Sequence, residues 1–548
     1  MAATLALQAI LANEGFAFEA TAFADAGFAV GAQNDWVDLT GDLVDSVIQV
    51  SRGFQSNAPD DLVAPAPTLS FALNNSVHNS GGLLGYYSFD SSNVRSGWQV
   101  GIPIRLLLTA NGTTRTVFYG WLEAATPLAG LYDAQTVACE AKGWLNQAST
   151  TNIGALTTAI SQRGDQLVAT LAALVTLQPS AFSLATGIDT YPQAFDDLSP
   201  TSTVLDGLDS VALSGFDRIF EKADGTLRFE SRQLRETYMV PALTITDVPA
   251  GATPALAVSA VPASRRRDRI YNKFQVTVHP KRVDASPVVL YTYQISGSSS
   301  SIGPGQTVAL QAPYVDPNQQ AQQVGGFNML ISDGHGGSTI GASGSLPASD
   351  YQFFSGPNGT GLDVSASMAV NVAYGTTGAE ITITNNGSAA AFFYLLQCRG
   401  QGIYDYQTAI GTAISSSSQS RQGQNAYPID CPYNADPFFA QSAATYTASV
   451  NSQNVTQIDQ GIQVFVHADD ELTMDTLLQR EISDAIAVTE TVTGITAGSY
   501  WINGVTLAID GRCNVTFTFP LAPNLAGIVW TLGVAGASEL GQTTVLGF

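Results

Sequence analysis

A chain of 548 residues is too long for one hydrophobic core, so roughly three or four domains are expected. Only 12% of residues are charged and 45% are apolar, with 51 glycines, which suits an all-β protein whose neutral-polar surface is partly buried in an assembly. The net charge of −23 argues against tight nucleic-acid binding, because phosphate contacts need Lys and Arg; beyond Arg282, only Arg399, Arg421, Arg480 and Arg512 stand against nineteen acidic residues. No apolar run approaches the ~18 residues of a membrane-spanning helix. The opening MAATLALQAILANEGFAFEA has no basic n-region, so no secretory signal is expected.

In chain order, residues 1–35 read as an N-terminal arm whose first dozen residues form a short helix or stay mobile. The stretch from Trp36 to Trp121 alternates like half-buried strands. Val44, Val47 and Val50 lie near Leu43 and Ile48, and Leu69, Phe71 and Leu73 sit two apart. With a strand from Thr136 to Ala141, these make a first β-domain, 36–148. The period then changes. Leu156 and Ile160, then Leu167, Leu171, Leu174 and Val175, have helical spacing. A second helix is expected with Ser199 as N-cap, Pro200 at the first position, and Val204, Leu205, Leu208, Val211 and Ala212 as its buried stripe, ending at Ser214-Gly215. FDRIFEKADGTLRFESR then reads as a hairpin around Asp224-Gly225. Residues 149–240 are thus an α/β connecting domain.

Linking strands follow over 241–285. The basic knot Arg265-Arg266-Arg267 leads into an alternating strand through Ile270, Phe274, Val276 and Val278. No aromatic platform flanks the knot, which favours a salt-bridged junction over a DNA contact. Residues 286–429 have another texture: Ser- and Gly-rich turns separate short strands, and EITITNNGSAAAFFYLLQCRG is read as a hairpin around Asn386-Gly387. This is expected to be an inserted β-sandwich domain. The last unit, 430–548, opens with a helix capped by Asp436, with Pro437 at the first position and Phe438, Phe439, Ala443, Tyr446 and Val450 toward the core. Strands over 462–467, 486–491, 500–509 and 514–519 follow, with Asp510-Gly511 turning the last pair.

The order of these pieces resembles the baseplate hub and minor tail proteins of long-tailed, siphophage-like bacteriophages. In that family a W-x-D-L/V-T strand precedes an Arg-Gly turn, a T-L-(S/T)-x-x-L-x-N strand, a G-x-P-(I/V)-R strand and an F-x-G-W strand. The matching residues are Trp36 to Thr40, Arg52-Gly53, Thr68 to Asn74, Gly101 to Arg105, and Phe118 to Trp121. LLQREISDAIAV followed by YWINGVTLAI resembles the family's second barrel, and the ending WTLGVAGASELGQTTVLGF is of a type common in such proteins. The likeness covers roughly 36–280 and 430–548. It implies a mainly β fold with two tail-hub-type β-barrels, the α/β connector and the inserted sandwich. It also implies a homotrimer in the virion tail tip, assembled in the host bacterial cytoplasm, with the distal tail protein, the tape measure protein and tail fibre or receptor-binding proteins as partners. Such a ring closes the tail tube, adapts a sixfold tube to a threefold tip and opens for DNA ejection. The resemblance implies that DNA can pass through it without specific binding; the net charge itself reads first as a soluble acidic surface, with a lumen that repels DNA and lets it slide past as the sharper alternative. The alternatives are a distal tail protein ring, a carbohydrate-binding receptor or adhesin that takes a host-surface glycan on its sandwich, and a cell-wall hydrolase of the tail.

The search for chemistry yields no catalytic, cofactor-binding or metal-binding residue, and no enzyme or cofactor is expected. His78, His279, His335 and His467 fall in different units, with only His335 in a loop able to shape a site. Asp469, Asp470, Glu471 and Asp475 could suggest calcium but lack the order of an EF-hand loop; the first turn of a helix explains them better. Cys139, Cys398, Cys431 and Cys513 share no metal-like spacing and are expected as buried free thiols. Asn111-Gly112-Thr113 reads as turn chemistry rather than a glycosylation signal.

Overall fold

The computed structural model describes residues 2–11, 36–44, 47–54, 56–128, 135–154, 156–237, 241–247, 255–294, 301–453 and 456–524. The expected C-terminal motif and most of the expected N-terminal arm lie outside these. The fold is mainly β, as the alternation predicts. Strands from both ends of the chain form one 14-stranded sheet. Its path starts at Ala255–Ala257, Leu243–Thr246 and Ala485–Glu490, and continues through Ile495–Ile502, Val515–Pro523 and Gly504–Ile509. There it crosses to the N-terminal set: Ile48–Gly53, Thr68–Asn74, Thr136–Lys142, Thr113–Leu128, Pro103–Ala110, Thr4–Ile10 and Trp36–Asp38. Ile458–Val466 joins off the path, on Val515–Pro523. Among the described residues the path does not close.

The seam between the two sets is the antiparallel pair Ile48–Gly53 with Gly504–Ile509, in register from Ile48 opposite Ile509 to Gly53 opposite Gly504. The inward residues Val505, Leu507 and Ile509 and their partners Val515, Phe517 and Phe519 are all buried, in one apolar core shared with Leu69, Leu106 and Val137. Arg52-Gly53 is therefore the end of a strand and not a turn. Val44 and Val47 lie ahead of that strand, and Val47 is exposed. The first residues are no helix: Thr4–Ile10 pairs with Pro103–Ala110 and buries Leu7 and Ala9, a period-2 pattern that sheet pairing rewards.

The helical module packs Trp144–Thr150, Gly164–Ala172 and Val204–Gly215 around a second core. Ala159–Arg163 is a strand paired with Thr190–Ala194, so the helical spacing from Leu156 to Ile160 is overridden. The third helix starts four residues later than its Ser-Pro signal. Residues 199–202 close a turn, and Thr203 forms a reciprocal capping box with Asp206 at 3.2 and 2.7 Å. Ser214-Gly215 ends it as expected, with Phe216 in the left-handed region. The Asp224-Gly225 turn joins Arg218–Glu221 to Thr226–Glu230.

Lys273–Val278 lies between Ala409–Ile414 and Ala426–Cys431 in a small sheet covered by the helix Pro437–Asn451. That helix starts as expected: Asp436 accepts from the Phe438 N–H at 2.9 Å, with Pro437 first. Phe438, expected in the core, is 83% exposed, because Phe439, Ala443 and Ala444 already fill the face toward the sheet.

The segment from Lys281 to Asp405 builds a sandwich of two sheets over a third core. One sheet is centred on the long strand Ala391–Asp405; the other runs Thr307–Pro313, Gly378–Asn385, Met368–Tyr374 and Ser343–Ser345. Gly378–Asn385 and Ala391–Asp405 do not form the expected hairpin. The Asn385 amide donates to Ile302 O and Ala389 O, holding the chain as it passes from one sheet to the other.

Candidate functional site

The connection 75–102, between Thr68–Asn74 and Pro103–Ala110, has no strand or helix yet is tightly built. Loops of more than about 15 residues without secondary structure usually serve a function. Its anchor is Asp42, buried at the end of the turn Thr40–Asp42, which accepts from the Ser80 N–H, the Ser80 hydroxyl and the Tyr87 hydroxyl. Arg95 donates to the Tyr87 hydroxyl at 2.9 Å and stands 3.9 Å from the Asp42 carboxylate. Trp98 Nε1 donates to Tyr87 O at 3.1 Å, with the rings edge to face 5.0 Å apart. Asn75 holds the Tyr87 N–H and Ser88; Asn79 bonds the backbone at Ser76, Gly81 and Leu83. Burial and the neighbouring Asp42 push the Tyr87 phenol far above its ordinary value, so it remains a donor at physiological pH.

This polar clasp fixes a surface whose outer side is apolar. Val77, Leu83, Leu84, Phe89 and Val100 all expose a third or more of their area. Rigid backbone with apolar side chains turned to solvent is the arrangement of a contact surface: little entropy remains to be lost on docking.

The acidic cluster joins the two ends of the chain. Asp470 caps Glu471–Leu478 by accepting from the Thr473 N–H. Glu471 accepts from the Asn111 N–H at 2.9 Å, and Asp475 pairs with Arg115 at 2.8 Å. Asn111-Gly112 is the left-handed turn between Pro103–Ala110 and Thr113–Leu128. The basic knot is likewise tied down: Arg265 donates to Thr456, Arg266 pairs with Asp268, and Arg267 donates to Gln422 O.

The four histidines are not brought together. His279 pairs with Asp430 at 2.8 Å, which raises its pKa. His335 is exposed in a loop whose Asp333 accepts its N–H, His78 is exposed, and His467 stands edge-on to Phe465. All four cysteines are free thiols, with Cys139, Cys398 and Cys431 buried and Cys513 partly so. Sequence reasoning missed the clasp; its one legible signal was the polar and aromatic density of 75–98.

No family model matches the chain, and no curated protein does. Solved structures do align with it. A 43 kDa tail protein of prophage MuSo2 from Shewanella oneidensis shares 8% identity over 95% of this chain and 98% of its own, with a TM-score of 0.46. A tail protein from Neisseria meningitidis MC58 shares 8% over 96% and 97%, also at 0.46. Prophage tail protein gp18 from Listeria monocytogenes EGD-e shares 7% over 89% and 91%, at 0.37. The first and third are prophage tail proteins and the second is a tail protein.

Proposed function

We propose that this chain is a hub protein of a phage tail tip, closing the tail tube as a threefold ring. The observation that carries this reading is the seam. The strand sets of 36–148 and 430–548, whose motifs run in hub order, meet edge to edge at Ile48–Gly53 and Gly504–Ile509. Three copies bring six such sets around one axis and so match a sixfold tube to a threefold tip. The clasped apolar loop supplies a subunit contact, and the low charge suits large interfaces. The tape measure protein docks inside, the distal tail protein above, and fibres or receptor-binding proteins below; host contact opens the ring for DNA to leave. The protein works through interfaces and not through catalysis.

Electron microscopy of the assembled tail tip tests this through its rotational symmetry. A threefold ring supports the hub role. A sixfold ring transfers the chain to the distal tail role, and a monomer outside any particle removes the reading. A clear zone on host peptidoglycan would overturn the non-catalytic part.

A further inference from the structure

A cleft opens where the main sheet, the helical module and the three-stranded junction meet. It encloses about 170 Å³, room for on the order of ten waters or one side chain. Four of the chain's 18 arginines line it: Arg218, Arg232, Arg235 and Arg269. In a chain of net charge −23 such a concentration of guanidinium groups is out of character. Arg232 donates to both oxygens of Asp189, at 2.5 and 3.3 Å. Arg235, fully buried, donates only to uncharged oxygens: Ser483 Oγ at 3.2 Å, Ile502 O at 3.2 Å and Asn503 Oδ1 at 2.7 Å. These bonds use Nε and Nη2, which leaves Nη1 without an acceptor among the described residues. Burial, with the charge of Arg218 nearby and Glu230 acting the other way, pulls the Arg235 guanidinium well below its ordinary pKa, so an anion in the cleft would favour its charged form.

Two buried atoms of lining residues have no hydrogen-bond partner among the described residues: the donor Trp501 Nε1, whose ring lies 5.5 Å from Arg235, and the acceptor Gln457 Oε1. Buried polar atoms are nearly always satisfied, so this unmet donor and unmet acceptor on one cleft call for partners that the described residues do not supply.

We propose that this cleft binds a carboxylate carried on an acidic peptide segment of a partner protein. Trp501 Nε1 and Arg235 Nη1 donate to the carboxylate, and a backbone N–H of the same peptide donates to Gln457 Oε1. An ionised phosphate ester meets the first demand and offers no N–H for the second. This inference stands apart from the tail-hub reading.

The test labels the tryptophan indoles of the full chain with 15N and titrates three probes: acetyl-Gly-Asp-Glu-Gly-amide, its Asn-Gln counterpart, and inorganic phosphate. The six tryptophans give six indole signals, and Trp501→Phe assigns the one that matters. The acidic peptide is expected to shift the Trp501 signal alone, and Gln457→Met, which removes the acceptor for the peptide N–H, to weaken that binding about tenfold while the other indole signals stay in place as proof of folding. An unmoved Trp501 signal would overturn the proposal. So would equal shifts with the neutral peptide or with phosphate, or undiminished binding by the Gln457→Met variant.

Discussion

The main sheet and the sandwich are both β, but they solve the chain-connection problem in opposite ways. The sandwich closes its core within one continuous segment, from Val288 to Tyr406. The main sheet is assembled from the two ends of the chain, with Ser51 and Thr506 facing each other across 455 residues of sequence. Where the sandwich leaves the scaffold, its entry and exit strands are neighbours: Val283 pairs with Ile403. A self-contained unit on adjacent roots can be gained, lost or exchanged without disturbing its host; a sheet shared by distant segments cannot. Scaffold and decoration are thus distinguished by topology and not by composition.

The strongest way to break this contrast is Gly53→Val. Gly53 has φ +100, and a Cβ there would lie 2.4 Å from Asn503 O and 2.6 Å from Gly504 Cα. We expect a loss of about 3 kcal/mol or more from the main sheet, with the sandwich retaining its own transition, measured by calorimetry or site-resolved hydrogen exchange. A sandwich that melted together with the sheet would end the claim of independence. Asp42→Ala strands the Tyr87 and Ser80 donors and should cost about 1–3 kcal/mol, with faster exchange confined to 75–102.

A third experiment uses pH. Glu221 is buried and accepts from the N–H groups of Trp144 and Leu145 at 2.8 and 2.6 Å, capping the first helix of the helical module; burial raises its pKa to about 7. Since the folded value lies above the unfolded one, its contribution is full below about pH 4.5 and is lost as pH rises through about 7. Glu221→Gln should flatten the pH dependence of stability over that window by on the order of 1 kcal/mol, whereas the sandwich transition keeps its pH profile. The smallest effect on stability, within about 0.5 kcal/mol, is expected for Leu84→Ser. The same change should weaken self-association in sedimentation; an unaltered oligomer would remove the clasped loop from the subunit interface.

Local chemistry was legible wherever it is decided locally. Thr68–Asn74, the Asp224-Gly225 and Asp510-Gly511 turns, and the Asp436-Pro437 helix start all follow from alternation or capping within a few residues. The misplaced features were set by distant partners. Thr4–Ile10 is a strand because Pro103–Ala110 offers it an edge, and the chain after Asn385 changes sheet because Ile302 holds the Asn385 amide. The clasp has the same cause, since nothing in the sequence joins Asp42 to Tyr87. The cleft was hidden because its arginines are spread from Arg218 to Arg269; their density in an otherwise acidic chain was the available sign.

The seam also has a consequence during synthesis. Ile48–Gly53 emerges from the ribosome early, yet its partner Gly504–Ile509 comes more than four hundred residues later. Until then the early strands have an open edge, and a polypeptide released short of residue 504 never covers it. Completion of the sheet therefore certifies that translation has run through both segments, and a prematurely terminated copy keeps an unfinished edge open to pairing with other chains.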